Sequence, residues 1–468
     1  MLLVATVVAA ACTSNSHPRP QQEGATHSTN ATSTVRAGRC PPVRPLPHPD
    51  PNRPRYQLAV RVDPGRRLAT GQERVTFRPD RATDRLVFRL WPNAPPQREE
   101  GADLSVSDVR SLDGTHSIST RTPDPTTLEV LPRPPLAAGD RIDLGLRWRL
   151  HLPGPVLDRL STGPDFAILG SFFPILAWEP GKGWATDPPT TALAEAGTAP
   201  TSDFDVRIQT VPKDLRVLAT GTEVGPGHWE AAAVRDFALA AGLIDISRTT
   251  VSLPHLATVT VGIQSATRVG AQGINVDIDQ SGFMRRVAEA LVDLRATYGP
   301  YPWPGLTVVV TPNLGRSGIE YPNLIFEGAA GLNRVTTHEV AHQWFYSLVG
   351  NDQAHDPWLD EALATYASAR RDGFLSFFQQ QHIRGVARDH VGSPMSFWDH
   401  HAQQYQLGVY VRGVQALLTL GSPDSIDCAL RAYVADNAYG IAEPDDLLDA
   451  LSSVFPTAPE DLAPFGIH

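Results

Sequence analysis

The run His338-Glu339-Val340-Ala341-His342 is the feature that most restricts how this chain folds. Residues four positions apart lie on one face of an α-helix, so a helix brings the two imidazoles together beside one carboxylate. Two such imidazoles suit a zinc ion, with the glutamate close enough to hold a water. The apolar spacing from Val335 to Leu348 predicts that helix, and Gly350 is able to end it. A buried histidine pair bonded to backbone is the alternative interpretation of the motif alone.

A second helix is predicted to begin near Trp358, with Asp356 as its N-cap and Pro357 in its first turn. Glu361 lies on this helix, 18 residues beyond the histidine pair if positions 343 to 360 are counted. Two histidines, one glutamate and an open fourth position are typical of a catalytic zinc site, whereas structural sites are closed and usually rich in cysteine. The sequence therefore predicts one Zn²⁺ ion held by His338, His342 and Glu361.

These motifs resemble those of the gluzincin metallopeptidases related to aminopeptidase N and leukotriene hydrolase. The shared pattern is His338-Glu339-x-x-His342, the 18-residue gap and Glu361 within Trp358-Leu359-Asp360-Glu361-Ala362. Upstream, Ser317-Gly318-Ile319-Glu320-Tyr321 is similar to the Gly-Ala-Met-Glu-Asn segment of that family, with Glu320 as the identical position. The resemblance implies that Glu320 binds the free amine of a substrate.

A downstream motif extends the resemblance. Tyr410-Val411-Arg412-Gly413 is similar to the family's Tyr-x-Lys-Gly, with Arg412 in place of the lysine. The resemblance implies that the Tyr410 hydroxyl stabilises the tetrahedral intermediate. Tyr405, five positions earlier, is interpreted as a core residue of the same helix.

The residue types predict a peptidase chemistry. Zinc lowers the pKa of a bound water, and Glu339 is placed to take its proton as general base and pass it to the leaving amine. If Glu320 binds an α-ammonium group, the enzyme is an aminopeptidase that releases N-terminal residues from peptides. The alternatives are a zinc endopeptidase or other amide hydrolase, and an inactive surface binding protein on the same fold. The intact Glu339 and Tyr410 argue against an inactive protein.

Composition and periodicity predict an α+β chain of two domains. The 468 residues carry 40 Lys and Arg against 50 Asp and Glu, a net charge of −10 that argues against a nucleic-acid partner. Residues 53–247 alternate apolar and polar side chains, which predicts an N-terminal domain of antiparallel β-strands. The pattern of residues 248–468 predicts a small sheet followed mainly by helices. The resemblance implies a saddle-like first domain and a thermolysin-like catalytic domain.

The first residues are typical of an export signal. Residues 1–11 are apolar and too short to span a bilayer, although no Lys or Arg precedes them, and a start codon placed too far downstream would explain that. Ala9-Ala10-Ala11-Cys12 resembles a bacterial lipoprotein box, which predicts an extracytoplasmic protein held at the membrane by a lipid on Cys12. Ordinary cleavage after the alanines is the alternative.

Residues 12–52 lack apolar periodicity and are rich in Ser, Thr and Pro, which indicates a disordered tether. The two other cysteines, Cys40 and Cys428, are as consistent with a disulfide as with two free thiols.

Overall fold

A computed structural model describes residues 40–42, 44–191, 197–253, 255–265, 278–332 and 335–468. The predicted signal segment and most of the predicted tether, including Cys12, lie outside these described residues. Within them, no helix has the length and apolar character needed to cross a membrane.

Alternating apolar and polar residues build the first half of the chain into β-sheets. Along the first strand, Tyr56, Leu58, Val60 and Val62 are buried and the residues between them are exposed, as a half-buried strand requires. The elements of this part are β1 (Arg55–Asp63), β2 (Leu68–Phe77), β3 (Leu86–Arg89), α1 (Pro95–Glu99), β4 (Asp103–Ser111), β5 (Ser117–Asp124), β6 (Thr127–Arg133), β7 (Ile142–His151), β8 (Leu160–Gly163), β9 (Phe166–Leu169), β10 (Ile175–Leu176), β11 (Trp178–Glu179), β12 (Gly183–Trp184), β13 (Ser202–Thr210), β14 (Arg216–Ala219), β15 (Thr222–Gly225), β16 (His228–Val234) and β17 (Leu239–Gly242).

Three larger sheets organise these strands in the described part of the first domain. A seven-stranded sheet has the order β15-β16-β13-β1-β2-β7-β4, and two four-stranded sheets have the orders β10-β3-β6-β5 and β14-β17-β9-β8. Pairing is antiparallel as expected, except that β1 runs parallel to β13. The long connection between β1 and β13 makes that parallel pairing possible.

The second domain joins a mixed five-stranded sheet to a set of helices. The sheet has the order β18-β19-β20-β22-β21. Its first strand crosses the predicted domain boundary at residue 247, because β18 starts pairing with β19 at Ile244. The elements are β18 (Ile244–Ser252), β19 (Leu256–Gln264), α2 (Gln280–Tyr298), β20 (Gly305–Thr311), β21 (Gly318–Tyr321), β22 (Leu324–Gly328), α3 (Thr336–Ala341), β23 (Gly350–Asn351), α4 (Trp358–Asp372), α5 (Leu375–Gln379), α6 (Met395–Asp399), α7 (Arg412–Leu420), α8 (Pro423–Asn437), β24 (Ile441–Ala442), α9 (Pro444–Ser452) and α10 (Ala458–Leu462).

Two local predictions around the motif helices were wrong. Helix α3 ends at Ala341 and does not continue to Leu348, because the chain turns after His342 and Phe345 pairs with Val349 in a β-bridge. Helix α4 has Pro357 as its N-cap residue without a side-chain cap. Asp356 instead precedes the cap, and its backbone carbonyl accepts a hydrogen bond from Asn351 at 2.9 Å. In both places contacts with other segments outweigh the local pattern.

The chain before β1 is bound to the second domain. Cys40 and Cys428 form a disulfide with their Cα atoms 5.7 Å apart, so the pair that the sequence left open is joined. Arg44 adds an ion pair to Asp436 at 2.8 Å. Cys40 and Arg44 therefore contact helix α8, within the stretch that the sequence analysis predicts to be a tether.

Candidate active site

Helices α3 and α4 bring three potential metal ligands to one point. The Nε2 atoms of His338 and His342 are 3.1 Å apart, and Oε2 of Glu361 lies 3.2 Å and 3.5 Å from them. A tetrahedral zinc ion with bonds of about 2.0–2.1 Å separates its ligand atoms by about 3.3–3.4 Å. The three observed distances match this spacing, so the residues fit a zinc ion bound between them.

A backbone contact orients one of these ligands. His342 is buried, and its Nδ1 donates to the carbonyl of Phe345 at 3.0 Å. With Nδ1 protonated for this bond, Nε2 keeps the lone pair that faces the other two ligands. The turn after helix α3 therefore decides the tautomer and orientation of His342.

Negative charge accumulates around the three ligands. Burial opposes a charge on His342, but the carboxylates of Glu320, Glu361 and Glu339 outweigh it and raise the pKa of His342 well above its usual range. Ligand atoms of Glu320, Glu339 and His342 also lie within 4.8 Å of one another. Such a group of buried acids is stabilised either by protonation or by a nearby cation.

Glu339, the predicted general base, lies against strand β21. A Cβ atom at Gly318 would overlap with the carboxyl group of Glu339, so the glycine makes room for it. Burial, followed by repulsion from Glu320, raises the pKa of Glu339 well above its usual range. The carboxyl group is thus held close to the triad in a site that favours its protonated form until a cation is present.

Glu320 lies two residues from Gly318 on the same strand, so both face helix α3. The side chain is buried, and burial raises the pKa of its carboxyl group. Glu320 borders a cavity of about 90 Å³ whose other walls include Arg159, Ser171 and Asp236 of the first domain. Ser171 Oγ donates to Asp236 at 2.7 Å. The predicted amine-binding residue therefore lines a polar cavity between the domains.

Tyr410 lies beside the triad on a turn of π-helix, Leu407–Val411, that precedes α7. Its ring is centred 5.9 Å from that of His338 and inclined by 23°. Single π-helical turns often occur at functional sites. Tyr405 is buried and contacts Tyr410 edge to face, as its interpretation as a core residue predicts.

Arg412 points away from the triad. Its Nε donates to the carbonyl of Arg388 at 2.8 Å, and its guanidinium lies over the ring of Phe465. The lysine position of the family motif therefore has a structural contact in this chain.

Sequence reasoning missed the residues that the first domain supplies. Asp236 is buried, and burial raises its pKa to about 6. Arg235 beside it is buried among carbonyl groups of the second domain. Neither belongs to a motif, and no spacing signal connects them with residue 338.

Comparisons with known proteins agree with this geometry. The M1 zinc metallopeptidase of Deinococcus radiodurans has a similar structure with a TM-score of 0.64 and 19% identity, covering 92% of this chain and 95% of that one. A mutant of that enzyme bound to a Tyr-ser-ala substrate has the same TM-score at 18% identity, with 90% and 96% covered. The chain thus shares the fold of this zinc metallopeptidase.

The sequence comparisons find similarity to one peptidase family in the second half of the chain. Residues 289–465 match the Peptidase family M1 domain. Human aminopeptidase B is 25% identical over 227 residues, 42% of this chain and 35% of that protein. Mouse aminopeptidase RNPEPL1 is 28% identical over 225 residues, 42% of this chain and 31% of that protein. The stretch that carries His338, His342 and Glu361 is therefore similar to the Peptidase family M1 domain. The chain spans about a third of the length of these curated relatives.

Proposed function

We propose that this protein is a zinc-dependent aminopeptidase that releases N-terminal residues from peptides. The observation that carries the proposal is the position of Glu320. Its buried carboxyl group lies within 4.8 Å of ligand atoms of both Glu339 and His342, and Glu320 lines the interdomain cavity. A carboxylate beside the reacting centre pairs well with an α-ammonium group, because such a pair is strong in a desolvated cleft.

The triad His338, His342 and Glu361 would hold the zinc ion, which supplies a water of lowered pKa and a polarised scissile carbonyl when bound. Glu339 takes a proton from the attacking water and delivers it to the leaving amine. Tyr410 donates a hydrogen bond from its hydroxyl to the oxygen on which negative charge develops. Glu320 binds the α-ammonium group and so sets which peptide bond lies over the triad.

The comparisons support peptides as the substrate class. Aminopeptidases are among the curated relatives, and one structural neighbour is described with a bound Tyr-ser-ala substrate. The alternative of an endopeptidase or other amide hydrolase differs from the main proposal in a single property, the need for a free amine.

Hydrolysis of an amino acid amide beside its N-acetylated twin tests this need. The proposal expects strong preference for the free amine, and Glu320→Gln should remove most of that preference while leaving bound zinc unchanged. Equal rates on both substrates would favour the endopeptidase alternative. Absence of turnover with zinc fully bound would favour the inactive binding protein.

We also propose that the enzyme is extracytoplasmic and anchored by a lipid on Cys12. The support is the Ala9-Ala10-Ala11-Cys12 pattern together with the Cys40–Cys428 disulfide, since disulfides persist in oxidising compartments. In the host cell, the enzyme should partition with membranes and incorporate labelled fatty acid, and Cys12→Ser should abolish both. A wild-type enzyme found unlabelled in the soluble fraction would contradict the proposal.

A further inference from the structure

Arg235 is a buried arginine that crosses from the first domain into the second. It follows strand β16 and is 3% exposed. Its guanidinium ends between the turn that follows helix α3 and the chain before strand β24. Burial lowers the pKa of Arg235 to about 10, so the group is still charged at neutral pH.

Carbonyl groups surround this guanidinium. Nε donates to the carbonyl of Tyr346 at 2.8 Å, and Nη2 donates to that of Leu348 at 3.3 Å. Nη2 also donates to Gly440, and Nη1 donates to Ala199 at 3.3 Å. A guanidinium has five N–H donors in a rigid fork, so one side chain binds several carbonyls at once. Two of these carbonyls belong to the turn between His342 and Gly350.

That turn orients the His342 ring. The ring's Nδ1 donates to Phe345 O at 3.0 Å, and the amide of Ser347 donates to His342 O at 2.9 Å. Tyr346, between Phe345 and Ser347, has a positive φ of 136°, a conformation that costs free energy and persists only when its surroundings hold it. Arg235 binds the carbonyl of this strained residue directly.

We propose that Arg235 is a positioning residue for the metal centre, which holds the Tyr346–Leu348 turn from the opposite domain and thereby orients His342. This inference rests on the proposed zinc-dependent function. It makes the docking of the two domains a condition for a well-formed triad. Residues that hold a metal ligand in its orientation typically contribute about 10–100-fold to metal affinity or activity.

Gly350 supports the same inference from the second domain. A Cβ atom at residue 350 would overlap with the guanidinium of Arg235, whereas glycine leaves it room. The site at the end of the turn is thus shaped around the arginine. Gly350→Ala should displace the guanidinium without removing any of its donors.

The experiment compares Arg235→Lys and Gly350→Ala with the wild-type protein. Lysine keeps the charge but lacks the fork, so it cannot bind the same set of carbonyls. Zinc affinity is measured by chelator competition, and the ligand field by the absorption spectrum of the Co²⁺-substituted protein. Thermal unfolding of the metal-free proteins is measured in parallel. Arg89→Lys serves as the matched control, because Arg89 is also a buried arginine and donates to the carbonyl of Asp187, away from the turn.

Both variants are expected to bind zinc about 10–100-fold more weakly and to change the Co²⁺ spectrum. The control should lose thermal stability while its zinc affinity and spectrum stay as in the wild type. If Arg235→Lys does not fold, the zinc affinity and Co²⁺ spectrum of Gly350→Ala alone test the proposal. Wild-type zinc affinity and an unchanged spectrum in the folded variants would overturn the proposal and leave Arg235 as an interface contact.

Failure of the proposed function would look different. A wild-type protein that binds zinc but hydrolyses no peptide would refute the peptidase and still allow the positioning role to be measured. A wild-type protein that binds no zinc at all would refute both.

Discussion

The buried carboxyl group of Glu327 should make the free energy of unfolding depend on pH. Glu327 lies on strand β22 opposite Gly318, with no exposed surface. Thr336 Oγ1 donates to its Oε1 at 2.7 Å. Its Oε2 is buried and has no hydrogen-bond partner among the described residues. Burial raises the pKa of Glu327 to about 8, so the folded protein holds this side chain neutral at pH 7.

The consequence for stability follows from proton linkage. Between its ordinary pKa of 4.5 and about 8, Glu327 keeps a proton in the folded chain that the unfolded chain has released. The free energy of unfolding therefore falls by about 1.4 kcal/mol per pH unit on account of this group. The contribution is fully present below pH 4.5 and is lost by about pH 8. At pH 7 the contribution of Glu327 to the free energy of unfolding is about 3 kcal/mol smaller than at pH 4.5.

Glu327→Gln should remove this pH dependence. Glutamine keeps an acceptor for Thr336 and has nearly the same shape, but it does not titrate. The variant should match the wild type near pH 4.5 and exceed it in free energy of unfolding by about 3 kcal/mol at pH 7. Urea unfolding with saturating zinc at pH values from 5 to 9 measures the difference, with Glu460→Gln at an exposed position as control. Parallel curves for wild type and Glu327→Gln would refute the reasoning, because they would mean that the folded protein holds Glu327 ionised.

Three further substitutions test the assigned roles. Glu339→Gln should retain zinc and lose about 10²–10⁴-fold in kcat, because no general base remains; metal analysis beside kinetics checks this, and an active variant would remove the assigned base. Tyr410→Phe should lower kcat by about 10²-fold or more through loss of an oxyanion donor, and unchanged kinetics would make that tyrosine a packing residue. Gly318→Ala should push the Glu339 carboxyl group aside and lower kcat/KM by about 10-fold or more with zinc content intact. Wild-type kcat/KM in this variant would show that strand β21 moves enough to accommodate the added methyl group beside Glu339.

Patterns among neighbouring residues predicted much of the architecture. Period-two alternation within residues 53–247 predicted strands such as β1 and β7, because this signal depends on neighbouring residues only. The prediction failed where distant segments meet. The turn after His342 replaces the expected helix where Arg235 and the amide of Tyr439 donate to its carbonyls. Both partners are far from the motif in sequence, so the local pattern does not indicate them.

By itself, the sequence determined which three side chains could bind one metal ion. The spacing of His338 and His342 on one helical face is a property of the α-helix, and the choice of two histidines and a glutamate limits the metal. Only the tertiary structure decided what surrounds that centre: the cavity beside Glu320, the joining of Cys40 to Cys428, and the burial of Glu327. Burial and domain docking arise from packing between residues far apart along the chain, and such packing leaves no periodic signal in any short stretch of it.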